Sequence, residues 1–389
     1  MKYTLTIFTS ANLTYWAGVE KALYYYNLYA PKDFTIQIIN NPFINSAKLD
    51  KNVIESLFYG AQITELNLTV WKIDSRYPKL FRFLVRTVIL ERLLVIADSI
   101  RFRMALKKIL STTDLVYLIN NSMAIMIPRK KNKPIVVGSE HVYDFYSLKL
   151  RGISKFIIRK LLNLGLVDSR IHRIHLISKA SYELFRDNPK FFYVPNGVDS
   201  EKFQPNLEVN NSEKIRLLFA SRLEFSKGVL ELIDAFRMAR LDKFELFIAG
   251  TGSLYNRIKD ENCDNIHVLG FVSEDELRKL YAFSDVFVFP TKAESFPLVI
   301  LEALSSGLYV LASSVLKPKT DELEFLDSIT YIEPDAQSIA KELVKISSSI
   351  NQIRNRERKI NAHKYIRENY DWQLVTSNFF DHLRSMINE

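Results

Sequence analysis

The chain of 389 residues carries one cysteine, Cys263. That excludes an intrachain disulfide framework and a zinc site built from several thiolates, and it fits a reducing compartment. No apolar run approaches the roughly 18 residues that a membrane-spanning helix needs. The opening residues Met1-Lys-Tyr-Thr-Leu5 run straight into alternating, strand-like sequence, with no apolar core of a secretion signal. There is no internal repeat, no low-complexity tract and no Asp-x-Asp pair, and the 6 histidines show no metal-ligand spacing. What is present is ordinary for a globular protein: 48% hydrophobic and 25% charged residues. That mixture excludes a disordered chain, a collagen-like repeat and a coiled coil. At roughly 100–200 residues per domain, the length allows two or three domains.

Charge is distributed unevenly. Residues 1–200 hold 29 basic and 15 acidic side chains, and the remainder holds 24 basic and 29 acidic. The step suggests two domains with different partners, the first facing something anionic. Two segments concentrate the basic charge among aliphatics, Arg76 to Leu110 and Lys149 to Leu166. Such helices can lie on an anionic membrane surface, or can cover a core while Lys and Arg snorkel from the edge. No recognisable nucleic-acid-binding module accompanies them.

The pattern along the chain alternates strand with helix. Strands are predicted at Thr4–Thr9, Phe34–Ile39, Asp114–Ile119 and Pro134–Gly138, with a helix at Trp16–Leu28. A second series follows at Ile215–Ala220, Phe244–Ala249, Ile266–Leu269, Asp285–Phe289 and Tyr309–Ala312. Alternation of this kind predicts parallel sheets covered by helices, and two series predict two α/β domains. The break is expected at Tyr193-Val-Pro-Asn-Gly-Val-Asp199, where Pro and Asn-Gly punctuate the chain. The stretch from about Asn351 to Glu389 is helical in character.

Three places could carry chemistry. The strand ending at Phe289 runs through Pro290-Thr-Lys-Ala-Glu294-Ser-Phe-Pro297 into a helix, with Pro297 expected at the first helical position. A helix N-terminus at the carboxyl edge of a sheet suits an anion, because its first amides lack internal partners. Glu294 precedes that helix and Glu302 lies within it among Leu301, Ala303 and Leu304. A carboxylate so placed needs donors, which sugar or ribose hydroxyls could supply. A helix-start Glu plus a salt-bridged Glu fits the same spacing. The second place is Arg222-Leu-Glu-Phe-Ser-Lys227-Gly228, between a strand and a helix. Its two cations could grip a diphosphate or could simply be solvated surface charges. The third is Ser10 to Gly18 after the first strand, where Gly18 would let amides approach a phosphate.

Taken together these residues resemble the family 4 glycosyltransferases, a retaining family with the GT-B fold. The resemblance rests on Arg222 to Lys227-Gly228, on Glu294 and Glu302 with seven residues between them, and on Pro195-Asn-Gly-Val-Asp199. It extends to Ile177-Ser178 before a helix and to Tyr370-Asp-Trp372 near the end. These motifs follow the family's order along nearly the whole chain and are densest from about 190 to 310. Three departures are visible: Ala17 before Gly18, Pro297 where glycine is frequent, and no Gly-rich stretch in Ser313 to Leu323.

The resemblance implies an α/β protein of two Rossmann-like domains facing across a cleft, with a C-terminal helix crossing back to the first. The boundaries would be 1–198, 199–365 and 366–389. It implies a hexosyltransferase that moves a sugar from a nucleoside-diphosphate sugar, UDP-sugars being favoured, to a membrane-associated glycan or lipid-linked acceptor. Cell-surface polysaccharide or lipopolysaccharide synthesis is the expected setting. The protein would be cytoplasmic and peripheral on the inner face of the membrane, bind no nucleic acid, and need no cofactor or metal. Arg222 and Lys227 would hold the donor diphosphate and Glu302 the ribose. Glu294, with amides near Ser295 and Phe296, would orient the donor sugar, and Gly18 would contact the donor. His141, in Ser139-Glu-His-Val-Tyr143, would stand beside sugar and acceptor. An epimerase of the same architecture and a non-catalytic sugar-nucleotide-binding subunit remain alternatives.

Overall fold

The protein is described by a computed structural model covering residues 2–9, 18–40, 57–65, 103–119, 135–140, 171–183, 185–208, 212–239, 243–261, 265–294, 296–320, 323–324 and 326–388. Among the described residues two parallel sheets are found, each in its own unit. Unit 1 comprises Met1–Ile177, Ser181–Val194 and Thr376–Glu389, and unit 2 comprises Ser178–Ala180 and Pro195–Val375. The divisions fall at 194/195 and 375/376, where the sequence suggested 198/199 and 365/366.

Unit 1 carries β1 (Tyr3–Thr9), α1 (Gly18–Leu28), β2 (Phe34–Asn40), β3 (Gln62–Glu65), α2 (Arg103–Leu110), β4 (Leu115–Leu118), β5 (Ile135–Glu140), β6 (Arg173–Leu176) and β7 (Phe191–Tyr193). The strand order is β3-β2-β1-β4-β5-β6-β7. β1 pairs in parallel with β2 through Leu5↔Ile36 and Ile7↔Ile38, and with β4 through Leu5↔Leu115. A central parallel strand is covered on both faces, so its side chains are buried in succession rather than alternately. Leu5, Thr6, Ile7 and Phe8 all have at most 1% exposure. Thr6 is tolerated there because its hydroxyl lies 2.8 Å from that of Thr113.

β3, β6 and β7 escape the sequence pattern for a physical reason. β3 is polar, and β7 is three residues long. β6 reads Arg-Ile-His-Leu, and its His175 is fully buried. Two hydrogen bonds make that burial acceptable. Tyr117 donates to Nδ1 at 2.8 Å and Nε2 donates to the Val194 carbonyl at 2.8 Å, a pairing that fits a neutral ring.

Unit 2 carries β8 (Ile215–Ala220), α3 (Val229–Ala239), β9 (Phe244–Ala249), β10 (Ile266–Gly270), α4 (Glu274–Phe283), β11 (Val286–Phe289), α5 (Leu298–Ser305), β12 (Tyr309–Ser313), β13 (Ile329–Ile332), α6 (Ala336–Ile353) and α7 (Arg356–Tyr370). The order is β10-β9-β8-β11-β12-β13. Unit 2 shows the 3-2-1-4-5-6 arrangement of a Rossmann sheet, and unit 1 adds one strand to it. In both, the winding direction reverses beside the first strand, between β1 and β4 and between β8 and β11. Ligands of open α/β sheets bind outside the carboxyl ends of the strands at that point.

The start of β11 is fixed by a buried ion pair. Asp285 accepts from Arg354 Nε at 2.8 Å and Nη2 at 2.9 Å, and from the Arg216 amide at 3.0 Å. Arg354 also donates to the carbonyls of Ser212 and Lys214. This cross-link ties the end of α6 to the entry of β8 and β11, with the donors of the guanidinium well used.

The last helix, α8 (Trp372–Asn388), buries Trp372, Val375, Phe379, Phe380, Leu383 and Met386. The spacing of three and four residues is that of one helical face. Within unit 1 Phe379 stacks on Tyr26 with centroids 4.3 Å apart and meets Tyr117 edge-on at 5.3 Å. Arg384 forms a two-pronged pair with Asp33 at 2.8 and 2.9 Å. The first turn belongs to unit 2, where Trp372 lies against Gly197 so closely that a Cβ there would come within 2.7 Å of the indole.

The predicted basic stretches Arg76 to Leu110 and Lys149 to Leu166 lie outside the described residues except for α2. There Leu106 and Leu110 are buried while Lys107 and Lys108 are exposed, the arrangement of a helix lying on a core. Among the described residues no helix is long and apolar enough to cross a membrane.

Aromatic burial, rather than the half-exposed Arg384–Asp33 pair, holds α8 to unit 1. Phe379→Ala is expected to cost about 3–5 kcal/mol in urea denaturation, against about 1 kcal/mol or less for Arg384→Ala.

Candidate functional site

The site is built from loops at the carboxyl edge of the unit 2 sheet. β8 delivers the loop 221–228, β9 delivers Gly250-Thr-Gly-Ser253, and β11 delivers 290–297. Because β8 pairs with both β9 and β11, the three loops are neighbours. Hydrogen bonds lace them together. The Lys292 amide donates to Ser226 O at 2.7 Å, and Thr291 Oγ1 lies 3.0 Å from both Ser226 O and Ala293 O. The Leu223 amide donates to Thr251 O at 2.9 Å, and Leu254 returns one to Leu223 O at 2.9 Å.

Gly228 makes this closeness possible. It has φ +76°, and a Cβ would fall 2.0 Å from the Pro290 carbonyl oxygen. Only glycine combines the left-handed backbone with that approach. It ends the short turn Phe225–Lys227 and starts α3.

Lys227 is therefore not a solvated loop cation. It is buried, and its ammonium reaches Glu294 Oε2 at 2.5 Å and the Ala293 carbonyl at 3.4 Å. The Phe289 ring lies 5.9 Å from its Nζ. Two of three N–H donors are thus engaged, and the carboxylate offsets the charge. Arg222 is different: it is exposed, and its guanidinium makes no hydrogen bond or ion pair among the described residues. Its five donors are uncommitted.

Two further carboxylates of unit 2 behave differently. Glu224 accepts from the Ser253 amide at 3.1 Å and from the Ser253 hydroxyl at 2.5 Å. The hydroxyl bond first and the amide bond second, with a smaller contribution from Arg222, hold its carboxyl below the usual carboxylate range. Glu302 lies in α5, six of whose eight residues are buried, and is itself 3% exposed. It accepts from the Tyr281 hydroxyl at 3.2 Å. Burial first, and the Glu302 charge second, push the Tyr281 phenol well above its ordinary value.

α5 begins at Leu298, with Pro297 in the cap position rather than the first helical position, and no side chain caps it. Proline has no side-chain oxygen with which to cap the first amides. Phe296 is buried beside this start.

The structure thus brings Lys227 and Glu294 into contact and sets Arg222 on the same loop as Lys227. Ser295 and His141 lie outside the described residues. Gly18 is the exposed first residue of α1, in unit 1. Sequence reasoning missed Tyr281 and the Glu224–Ser253 bridge. Tyr281 reads as one apolar position of an amphipathic helix, and Glu224 as one more polar loop residue. Neither carries a signal at the level of spacing.

Comparison with known proteins follows the same division. Residues 200–364 match the family model described as Glycosyl transferases group 1. That segment holds Arg222, Lys227, Glu294 and Glu302, and it lies wholly in unit 2. An uncharacterized glycosyltransferase of Methanocaldococcus jannaschii is 35% identical over 148 residues, 33% of this chain and 37% of that protein. The lipopolysaccharide 1,2-N-acetylglucosaminetransferase of Salmonella typhimurium is 24% identical over 306 residues, 72% of this chain and 76% of its own. The matches to the first three curated relatives span between 30% and 56% of those proteins' lengths. Among solved structures, Anabaena HepE in complex with UDP and glucose superposes with a TM-score of 0.67 at 16% identity, over 98% of this chain and 99% of that one. The two parallel-sheet α/β units share the GT-B fold of such neighbours.

The Lys227–Glu294 contact predicts a thermodynamic signature. Lys227→Met leaves a part-buried carboxylate without its cation and should destabilise unit 2 by about 1–3 kcal/mol. Adding Glu294→Gln to Lys227→Met should recover part of that loss in a double-mutant thermal-denaturation cycle.

Proposed function

We propose that the chain is a glycosyltransferase that moves a sugar from a nucleoside-diphosphate donor to a glycan or lipid-linked acceptor. The observation that carries this reading is the placement of Arg222, Lys227 and Glu294. They stand on the two loops that flank the β8/β11 switch point, inside the segment that matches the group 1 family.

The chemical problem is to break the bond between an anomeric carbon and a phosphate oxygen. Negative charge grows on the leaving diphosphate as the sugar becomes oxocarbenium-like. Fixed cations in a partly desolvated site stabilise that charge without reorganising. Arg222 offers a planar fork to the phosphate oxygens, and Lys227 offers its remaining N–H. The uncapped start of α5 adds backbone amides and the positive end of a helix dipole. Glu294 then serves two functions. In the free protein it holds Lys227 in place, and with donor bound it accepts from a sugar hydroxyl. Glu302 accepts from the ribose. These fixed charges replace a divalent cation, so transfer is metal-independent.

In the proposed sequence the acceptor hydroxyl attacks the face from which the diphosphate departs. The C1–O bond to the β-phosphate breaks as the bond to acceptor oxygen forms, and the acceptor proton passes to a phosphate oxygen. The anomeric configuration is retained. UDP is the favoured nucleotide, since a neighbour of the same fold was solved with UDP and glucose. A lipid-linked or outer-surface glycan is the favoured acceptor, in line with the Salmonella relative's lipopolysaccharide and the basic balance of residues 1–200. That charge would draw the protein to the anionic inner face of a membrane.

Three measurements test this reading. Incubation with UDP-hexoses and lipid-linked acceptors should release UDP and give an α-linked product from an α-linked donor, with the same rate in EDTA. An inverted product or an epimerised sugar from donor alone contradicts the proposal. Arg222→Ala should lower kcat/KM by about 10–100-fold, the range for one hydrogen bond to a charged group. Recovery on vesicles should rise with anionic lipid and fall with salt; equal recovery on neutral vesicles removes the electrostatic attraction.

A further inference from the structure

The Tyr281–Glu302 pair is hard to explain as packing. α5 reads Leu-Val-Ile-Leu-Glu-Ala-Leu-Ser, and Glu302 is its one ionisable residue. A carboxylate 3% exposed costs several kcal/mol of desolvation unless donors compensate it. Well-packed apolar residues at both positions would serve stability at least as well. What the pair supplies instead is a fixed direction for a buried acceptor. Tyr281 comes from α4, which precedes β11, and Glu302 from α5, which follows it, so the contact joins the two helices around the strand that ends in Phe289 and leads to Glu294. The Tyr281 ring is itself immobilised, edge-on to Phe203 at 5.6 Å and tilted against Phe287 at 5.6 Å. It is fully buried with 0% exposure. The alternative acceptor for its hydroxyl, the Val299 carbonyl, lies further away at 3.4 Å than Glu302 at 3.2 Å.

We infer that Tyr281 is a positioning residue that aims the Glu302 carboxylate at the vicinal hydroxyls of the donor ribose, so that this pair sets the preference for a ribonucleotide over a deoxyribonucleotide. The inference rests on the proposed nucleotide-sugar reading and adds a residue that the reading does not use. A site built to accept from a hydroxyl discriminates against a ligand lacking it, because a buried acceptor aimed at that hydroxyl then loses one of its donors. An acceptor free to rotate loses that discrimination.

The test is calorimetric titration of UDP, 2′-deoxy-UDP and 3′-deoxy-UDP into the full-length wild type, Tyr281→Phe and Glu302→Gln, with thermal midpoints measured in parallel. Tyr281→Phe keeps the ring and its two aromatic contacts, with Phe203 and Phe287, so the fold should persist. The wild type should bind UDP about tenfold or more tightly than at least one deoxy analogue. Tyr281→Phe should weaken UDP by a similar factor while leaving that analogue within about twofold, closing the gap. A structural role alone would weaken all three ligands together or none of them, and either result overturns the inference. If Glu302→Gln keeps the full ribose preference, the assignment of Glu302 to the ribose fails first. If Glu302→Gln abolishes the preference and Tyr281→Phe preserves it, only the role of Tyr281 fails.

Discussion

The ion pair between Lys227 and Glu294 is the constraint on which the site depends. An ammonium buried beside Phe289 is costly unless a carboxylate and a carbonyl meet it. Meeting it requires the β8 and β11 loops to lie almost in contact. That in turn requires Gly228, since any side chain would collide with Pro290. The lacing of Thr291 and Lys292 to Ser226 follows from the same approach. A cation held this way is preorganised, and its charge is half-committed before any ligand arrives. Arg222, exposed on the same loop with its guanidinium uncommitted among the described residues, is the complementary element, a planar fork beside a buried point charge.

The fold places this arrangement by topology rather than by local sequence. Two strands that diverge from β8, one to β9 and one to β11, leave their loops on either side of a reversal in winding. Brief buried strands such as Val286–Phe289 are rigid because both faces are covered and because Asp285 is clamped by Arg354 at their start. Loops that carry chemistry can then be irregular without being loose. Unit 1 repeats the same strand order with one strand added, but its loop after β1 and its His141 lie outside the described residues.

Much of this was legible from residues alone. The ten expected elements named by strand or helix periodicity coincide with observed ones to within one or two residues, because long apolar runs bounded by polar segments leave few other options. The β3, β6, β7 and β13 strands were not legible. Their sequences are too short or too polar, and they pair only because neighbouring strands present open edges. The spacing of Glu294 and Glu302 marked both carboxylates, and the burial of Glu302 was expected from its apolar neighbours. The spacing could not show that Glu294 would close on Lys227, since a contact between residues 67 positions apart depends on sheet order. Nor could it separate Arg222 from Lys227, which read as equivalent loop cations and differ because Gly228 turns one inward.

In the proposed reaction the cations at positions 222 and 227 grip a diphosphate. The most direct measurement is the affinity difference between UDP and UMP, determined by calorimetry for the wild type and for Arg222→Ala/Lys227→Met. The wild type should gain about tenfold or more from the second phosphate, and the double variant should lose most of that gain while its UMP affinity changes little. A gain of the same size in both proteins would contradict that role.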